Sequence, residues 1–202
     1  DPGTNWLLAP VHRIETRLRR LPWIRAAAAG RTLTGGVWVR VINRRPAAVV
    51  HSGAQYMEVD QTGWSIRPAR ASMIAGLPRI VLLAAPRLRI GASIDSPAVR
   101  QSVSLMNSLR ADPVVRIAKI EVDQTDGIWL NMQDGVRIGL GQCNDLQQKL
   151  HLVRNLYLAD PKIADRVEVV NLTVPSSPAA QLRPAATGQK VVSTSQSGGG
   201  PK

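Results

Sequence analysis

The chain of 202 residues contains no phenylalanine, a single cysteine, and aromatic residues at only 3% of its positions. One thiol, Cys143, excludes an internal disulfide framework and any metal site built on paired cysteines, and is expected to serve as a small apolar residue near a helix start. The shortage of aromatic rings weighs against the common RNA and single-strand modules, which stack bases on such rings. No apolar run approaches the roughly 20 residues that cross a bilayer. Acidic residues are also scarce, 14 against 26 Lys and Arg, and the resulting net charge of +12 draws the chain to polyanions: nucleic acid, an acidic membrane face or an anionic wall polymer. A basic nucleic-acid-binding protein is therefore the alternative reading, without specific nucleic-acid contacts being expected. The chain starts at Asp1 with no Met and no signal-like apolar segment, so it is expected to be a processed or shortened piece whose targeting element lies outside it.

Catalytic patterns are missing as well. His12, His51 and His151 fall in three different predicted elements, without the paired spacing of metal ligands. There is no P-loop, nucleophile elbow or dinucleotide fingerprint; Gly139-Leu140-Gly141 lacks the third glycine and reads as a strand end. Asp123 and Asp126 flank a turn, where Asp bonds local backbone, and the other acids offer no facing pair for glycoside hydrolysis. The expectation is a protein that is not an enzyme, with no cofactor and no metal.

What the chain does have is alternation. Val11, Ile14, Leu18 and Leu21 recur at helical spacing over residues 10–21, with Arg13, Arg17, Arg19 and Arg20 around them as a solvated face. Pro22 stops this helix. A strand from Trp23-Ile24 through Ala26 to Ala29 and a second strand follow, the latter with Val37, Val39 and Val41 inward and Trp38 and Arg40 outward. Trp23 is expected in the core. Beyond Arg44-Arg45-Pro46, strands are read at Ala47 to Val50, Tyr56 to Val59, Trp64 to Ile66 and Ile80 to Leu83. Ser96-Pro97 opens a helix with the stripe Val99, Val103, Met106 and Leu109, and Asn144 with Gln147 forms a capping box for another, with the stripe Leu146, Leu150, Val153 and Tyr157.

Between these helices lies an antiparallel meander: Ile120 and Val122, then Ile128, Leu130 and Met132, then Val136, Ile138 and Leu140. Asp126-Gly127 and Asp134-Gly135 join its runs as two-residue type I′ turns, in which both central residues take positive φ. The closing strand, Val167 to Val174, is expected at the edge of the sheet. Pro175 and Pro178 lack N–H donors and fit an edge, where they either blunt it or leave Val169 to Val174 able to accept a partner strand. The fold class is α+β: a helix on a β-hairpin over residues 1–45, a larger mixed β domain with two amphipathic helices over 46–182, and a disordered tail over 183–202. No internal repeat is evident.

Taken in order, Leu21-Pro22-Trp23-Ile24, Arg31, Val37 to Val41, Arg44-Arg45-Pro46-Ala47-Ala48, Val59-Asp60 with Gly63, Leu77-Pro78, Asp134-Gly135, Leu140-Gly141 and Val170-Asn171-Leu172-Thr173 before Pro175 resemble the extracytoplasmic part of the FtsQ/DivIB cell-division family. The resemblance implies a partial POTRA domain, its first strand and helix missing or reduced to Thr4 to Ala9, followed by the family's β domain. It implies a single-pass inner-membrane protein with this chain on the periplasmic side, at the division septum, its span lying outside the chain. It further implies a scaffold of the divisome that recruits FtsB/FtsL-type partners through the C-terminal edge of the β domain, with other partners possible through the POTRA domain. The partner-binding residues so assigned are Val169, Val170, Asn171, Leu172, Thr173, Val174, Ser176, Ser177 and Leu182.

Overall fold

A computed structural model describes residues 10–184 of the chain. The expectations for residues 1–9, and for the tail beyond Pro184, lie outside the described residues. The described residues form an α+β structure with two sheets, one of two strands and one of nine.

The small sheet belongs to the N-terminal part. Helix α1, Val11–Arg19, precedes the antiparallel pair β1, Ile24–Arg31, and β2, Val37–Asn43. α1 covers the free edge of β1: the Ala29 N–H donates to Glu15 Oε1 at 2.7 Å, and Arg19 donates from Nε and Nη2 to the Ala27 carbonyl at 3.1 and 2.9 Å. Side chains thus satisfy backbone groups that a bare strand edge would leave open. Because the helix leans on β1, β2 stays uncovered among the described residues. Val37, Val39 and Val41 are as exposed as Trp38, so the expected inward row is not packed; Trp23, expected in the core, is 48% exposed.

The large sheet begins with the meander β3, Ala48–Ser52, β4, Gln55–Val59, and β5, Ser65–Pro68. A short helix α2, Ala71–Gly76, which the sequence reading did not anticipate, returns the chain to β6, Arg79–Leu82, parallel to β3. Helix α3, Pro97–Ser108, starts as expected, with Ser96 Oγ accepting from the Val99 N–H at 3.1 Å. Then come β7, Ile117–Val122, β8, Ile128–Met132, and β9, Arg137–Gly141, followed by α4, Leu146–Ala159, a short 3-10 turn, Ile163–Asp165, and the strands β10, Val167–Asn171, and β11, Ala179–Leu182. The strand order is β11-β10-β9-β8-β7-β6-β3-β4-β5.

One face of this sheet carries the core. Val50, Ile80, Ile120, Leu130, Ile138 and Val170 pack there with Val99, Val103 and Met106 of α3 and Val153 of α4. The α3 stripe is the one the spacing predicts. The start of α4 differs: Asp145 caps it in the left-handed region, at φ 55°, with no side-chain cap bond, so the Asn144–Gln147 capping box does not form.

The meander turns also differ. Asp126 has φ 59° but Gly127 does not turn positive, and at the next hairpin Gly135 has φ 89° while Asp134 does not. In both cases three residues form the loop, with Asp126 N bonded to the Asp123 carbonyl and Gly135 N to that of Met132. This is a type I turn closed by one left-handed residue, the three-residue alternative to the I′ turn.

A repeat emerges that the sequence reading passed over. Val59-Asp60-Gln61-Thr62 begins on the last residue of β4, and Val122-Asp123-Gln124-Thr125 on the last residue of β7. Asp60 Oδ1 accepts from the N–H and hydroxyl of Thr62 and from Trp64 N; Asp123 Oδ1 accepts from the N–H and hydroxyl of Thr125 and from Gly127 N. The same four residues build the same aspartate-braced loop at two hairpins.

Candidate functional site: the C-terminal sheet edge

The expected edge strand is not at the edge. β10 lies between β9, to which it is parallel, and β11, to which it is antiparallel. The physical reason is in the segment after Asn171. Leu172 continues onto β9 through its N–H to the Gly139 carbonyl at 2.7 Å, and its side chain is buried. The chain then turns: Thr173 N bonds Asn171 Oδ1 at 2.9 Å and Ser177 N bonds the Val174 carbonyl at 3.1 Å. With Pro175 and Pro178 in this stretch it cannot extend the ladder. Ala179–Leu182 folds back and adds one more strand.

The assigned residues are therefore divided. Val169, Val170 and Asn171 form the penultimate strand, with Val170 buried; Leu172 is core; Thr173, Val174, Ser176 and Ser177 make an exposed loop. Of the nine, Leu182 alone stands on the outermost strand, where it is 67% exposed. Sequence reasoning missed Ala179, Ala180 and Gln181, because Ala and Gln carry little strand preference and no alternation marks them.

The hydrogen-bond parity of β11 follows from its register. Arg183 N donates to the Arg166 carbonyl at 2.8 Å, and Gln181 and Ala179 stand opposite Val169 and Asn171. In an antiparallel ladder, residues alternate between facing the neighbour and facing away. Arg183, Gln181 and Ala179 face β10, so the N–H and C=O of Leu182 and Ala180 point out of the sheet. The register shift between Val167 and Val169 is a bulge on β10 and leaves the alternation of β11 intact.

The other end of the sheet is dressed differently. On β5, Ser65 N bonds the Ala92 carbonyl at 2.9 Å and Gly91 N bonds the Ser65 carbonyl at 2.8 Å, so the segment after β6 occupies that side. Beside β11 lies an open groove of about 560 Å³ whose walls include Leu156, Ala159, Ile163, Val167 and Leu182. Its rim carries Arg166 and Asp160, which are ion-paired.

The histidines stand apart, on α1, β3 and α4, and the described residues hold no group of His, Cys, Asp and Glu able to bind a metal ion. Cys143 sits half-buried before α4, its thiol pushed up by burial and by the charge of Asp126. Asp123 and Asp126 serve their hairpin.

The family model described as "Cell division protein FtsQ/DivIB, C-terminal" matches residues 48–173, and so stops short of β11. Relatives include the "Cell division protein FtsQ" of Anaeromyxobacter sp. (strain K), 30% identical over 85% of this chain and 59% of its own length, and that of Streptomyces collinus, 28% identical over 88% of this chain and 67% of its own. The protein of the same name from Streptomyces coelicolor is 29% identical over 81% of this chain. The chain spans about three-fifths of the length of the curated relatives it matches. No helix among the described residues is long and apolar enough to cross a membrane. With the match extending over most of the large sheet and over α3 and α4, the chain belongs to the FtsQ/DivIB family of cell-division proteins.

Proposed function

We propose that this chain is the extracytoplasmic part of a non-enzymatic divisome scaffold, held to the inner membrane at the septum by a span outside the chain, and that it recruits FtsB/FtsL-type partners by adding one of their strands to β11. The observation that carries this reading is the outward N–H and C=O of Ala180 and Leu182 on the last strand of a nine-stranded sheet. Strand addition uses main-chain bonds for affinity and neighbouring pockets for specificity, and both are offered here. Family membership supports a role in cell division. The helix-on-hairpin unit, residues 10–45, and the β domain, residues 46–182, are read as the two parts of the scaffold.

The test is co-purification of the FtsB/FtsL-type pair from the same genome with the Ala180→Pro variant. Removing one outward donor should cut retention at least tenfold while the far-UV circular dichroism stays unchanged. Retention at the level of the unmodified protein would refute docking on β11.

A further inference from the structure

We infer that the tip of the β1–β2 hairpin, with Leu33 and Trp38 leading, inserts into an anionic phospholipid surface that the arginines of the N-terminal unit attract. The inference rests on the reading of this chain as extracytoplasmic and held at a membrane, and is independent of docking on β11. Charge is concentrated in this unit: residues 10–45 hold nine arginines and one acid, Glu15, whereas residues 46–184 hold 15 basic and 12 acidic residues. Glu15 is already engaged with the Ala29 N–H and Arg19, and Arg44 with Asp60. Arg13, Arg17, Arg20 and Arg40 are exposed and have no ion pair among the described residues. A positive field of this kind gathers anionic headgroups that come within a Debye length of it.

Apolar groups stand at one end of the same unit. Leu33 is fully exposed at the corner of the hairpin loop. Thr32 braces that loop, its carbonyl accepting from Gly35 N at 3.3 Å and its Oγ1 from Gly36 N at 2.8 Å, so the turn holds Leu33 at the tip. Trp38 stands opposite Gly30 in the ladder, and a Cβ at residue 30 would fall 2.5 Å from the Trp38 ring; the glycine gives the ring room to lie across the strand. Trp38 is 44% exposed, and Arg40 and Ile42 follow it on the same face, opposite Ala28 and Ala26, whose small side chains cover neither. Apolar residues scattered singly over a surface are ordinary. A tip leucine and a tryptophan beside arginines, within a field of one sign, match instead the interfacial pattern in which rings sit at headgroup level and arginine stems lie along apolar surface. Nucleic acid would use the charge but offers nothing to a leucine at the tip.

The direction of the chain agrees. Arg19 reaches the Ala27 carbonyl and Glu15 the Ala29 N–H, so α1 runs antiparallel to β1 and its start at Val11 lies at the hairpin-tip end. The opposite end carries Pro22 and Arg44, which contact Trp64 and Asp60 of the large sheet's first hairpins. The polypeptide therefore enters the unit beside the hairpin tip, which is the side on which the proposed span holds the protein, and leaves it at the joint with the large sheet.

The test is flotation of the whole chain with vesicles of phosphatidylcholine alone and of phosphatidylcholine with about one third phosphatidylglycerol. Retention on the anionic vesicles only is expected, with Leu33→Ser lowering the partition coefficient about tenfold and Leu33→Trp raising it. Leu33 is fully exposed, so the circular dichroism of both variants should match that of the unmodified protein. In a Cys143→Ser background, a polarity-sensitive dye on Leu33→Cys should shift to the blue on the anionic vesicles, which reads insertion directly. No retention on anionic vesicles overturns the inference. So does retention that Leu33→Ser leaves unchanged, or retention without a blue shift, since either means attraction by charge alone. A duplex oligonucleotide bound at physiological salt while vesicles are left unbound would assign the patch to nucleic acid and overturn it as well. The anchored reading is tested separately, by whether the full-length gene product stays in the membrane fraction through a high-salt wash; its release would defeat that reading whatever the vesicles show.

Discussion

The guanidinium of Arg44 lies 4.3 Å above the centre of the Trp64 ring and pairs with Asp60. Trp64 in turn donates from Nε1 to the Pro22 carbonyl at 3.0 Å, and Arg44 N donates to the Trp23 carbonyl at 2.8 Å. These contacts tie the helix-on-hairpin unit to the first hairpins of the large sheet. Burial alone would raise the Asp60 carboxyl, but the Thr62 hydroxyl, Arg44 and the N–H groups of Trp64 and Thr62 together hold it below the ordinary carboxylate value.

From this joint follows a pH-dependent stability effect. A carboxyl with a lowered folded-state pKa contributes stability that is present above its unfolded value, near 3.9, and is lost as pH falls through the folded value. Arg44→Ala should cost about 2 kcal/mol at pH 7, since it removes a partly buried charge pair and its stacking on Trp64. The gap between variant and unmodified protein should narrow as pH falls through the lowered folded-state value of Asp60, where its carboxyl becomes protonated. Urea denaturation at pH 7 and along the acid limb reads both quantities.

The paired aspartate loops offer a second test. Asp123 Oδ1 accepts three bonds within its hairpin, and Oδ2 receives the Trp129 Nε1 at 3.3 Å. Asp123→Ala leaves the Thr125 and Gly127 donors without this acceptor and should cost about 1–3 kcal/mol. Thr125→Val, which removes only the hydroxyl's bond, should cost less than about 1.5 kcal/mol. Thermal unfolding of the two variants checks the order.

On the open face of the sheet, the Trp129 ring lies flat over Gly139, with Arg137 stacked 4.4 Å above it. A Cβ at residue 139 would come within 2.9 Å of the ring. Gly139 has ordinary strand backbone, so its requirement is space and not φ. Gly139→Ala should destabilise by about 1–3 kcal/mol through overpacking, while Gly139→Ala combined with Trp129→Leu should recover part of that loss. Denaturant midpoints of the single and double variants measure the coupling.

How far the sequence carried the fold depended on how much a residue's own chemistry decided its place. Ser96-Pro97 capped α3, and the alternation of Ile128, Leu130 and Met132 produced β8, because local propensity and core burial demand the same arrangement there. The turns were located but mistyped: Asp-Gly fits both a two-residue and a three-residue loop, and the choice was made by the aspartate's bonds to downstream N–H groups. β11 was invisible for the opposite reason. Ala179-Ala180-Gln181-Leu182 is a strand only because β10 offers it a ladder, a tertiary influence that no periodicity records. Once β11 is in place, the exposed edge passes from the assigned residues Val169 to Val174 to Ala180 and Leu182.

That parity can be tested without any partner. Gln181 faces β10 and Ala180 faces away, although they are neighbours with exposed side chains on a short strand. Gln181→Pro would delete a donor that the fold uses and force a ring against β10, and should cost about 1–3 kcal/mol. Ala180→Pro would delete a donor with no partner among the described residues, and should change stability by less than about 0.5 kcal/mol. Native-state hydrogen exchange adds an independent reading: the Gln181 amide should be protected by its bond into the ladder, while that of Ala180 exchanges at nearly the rate of an open chain. A larger cost for Ala180→Pro than for Gln181→Pro, or stronger protection of the Ala180 amide than of the Gln181 amide, would show that β11 pairs in the other phase, and the donors available to an incoming strand would then be those of Ala179 and Gln181.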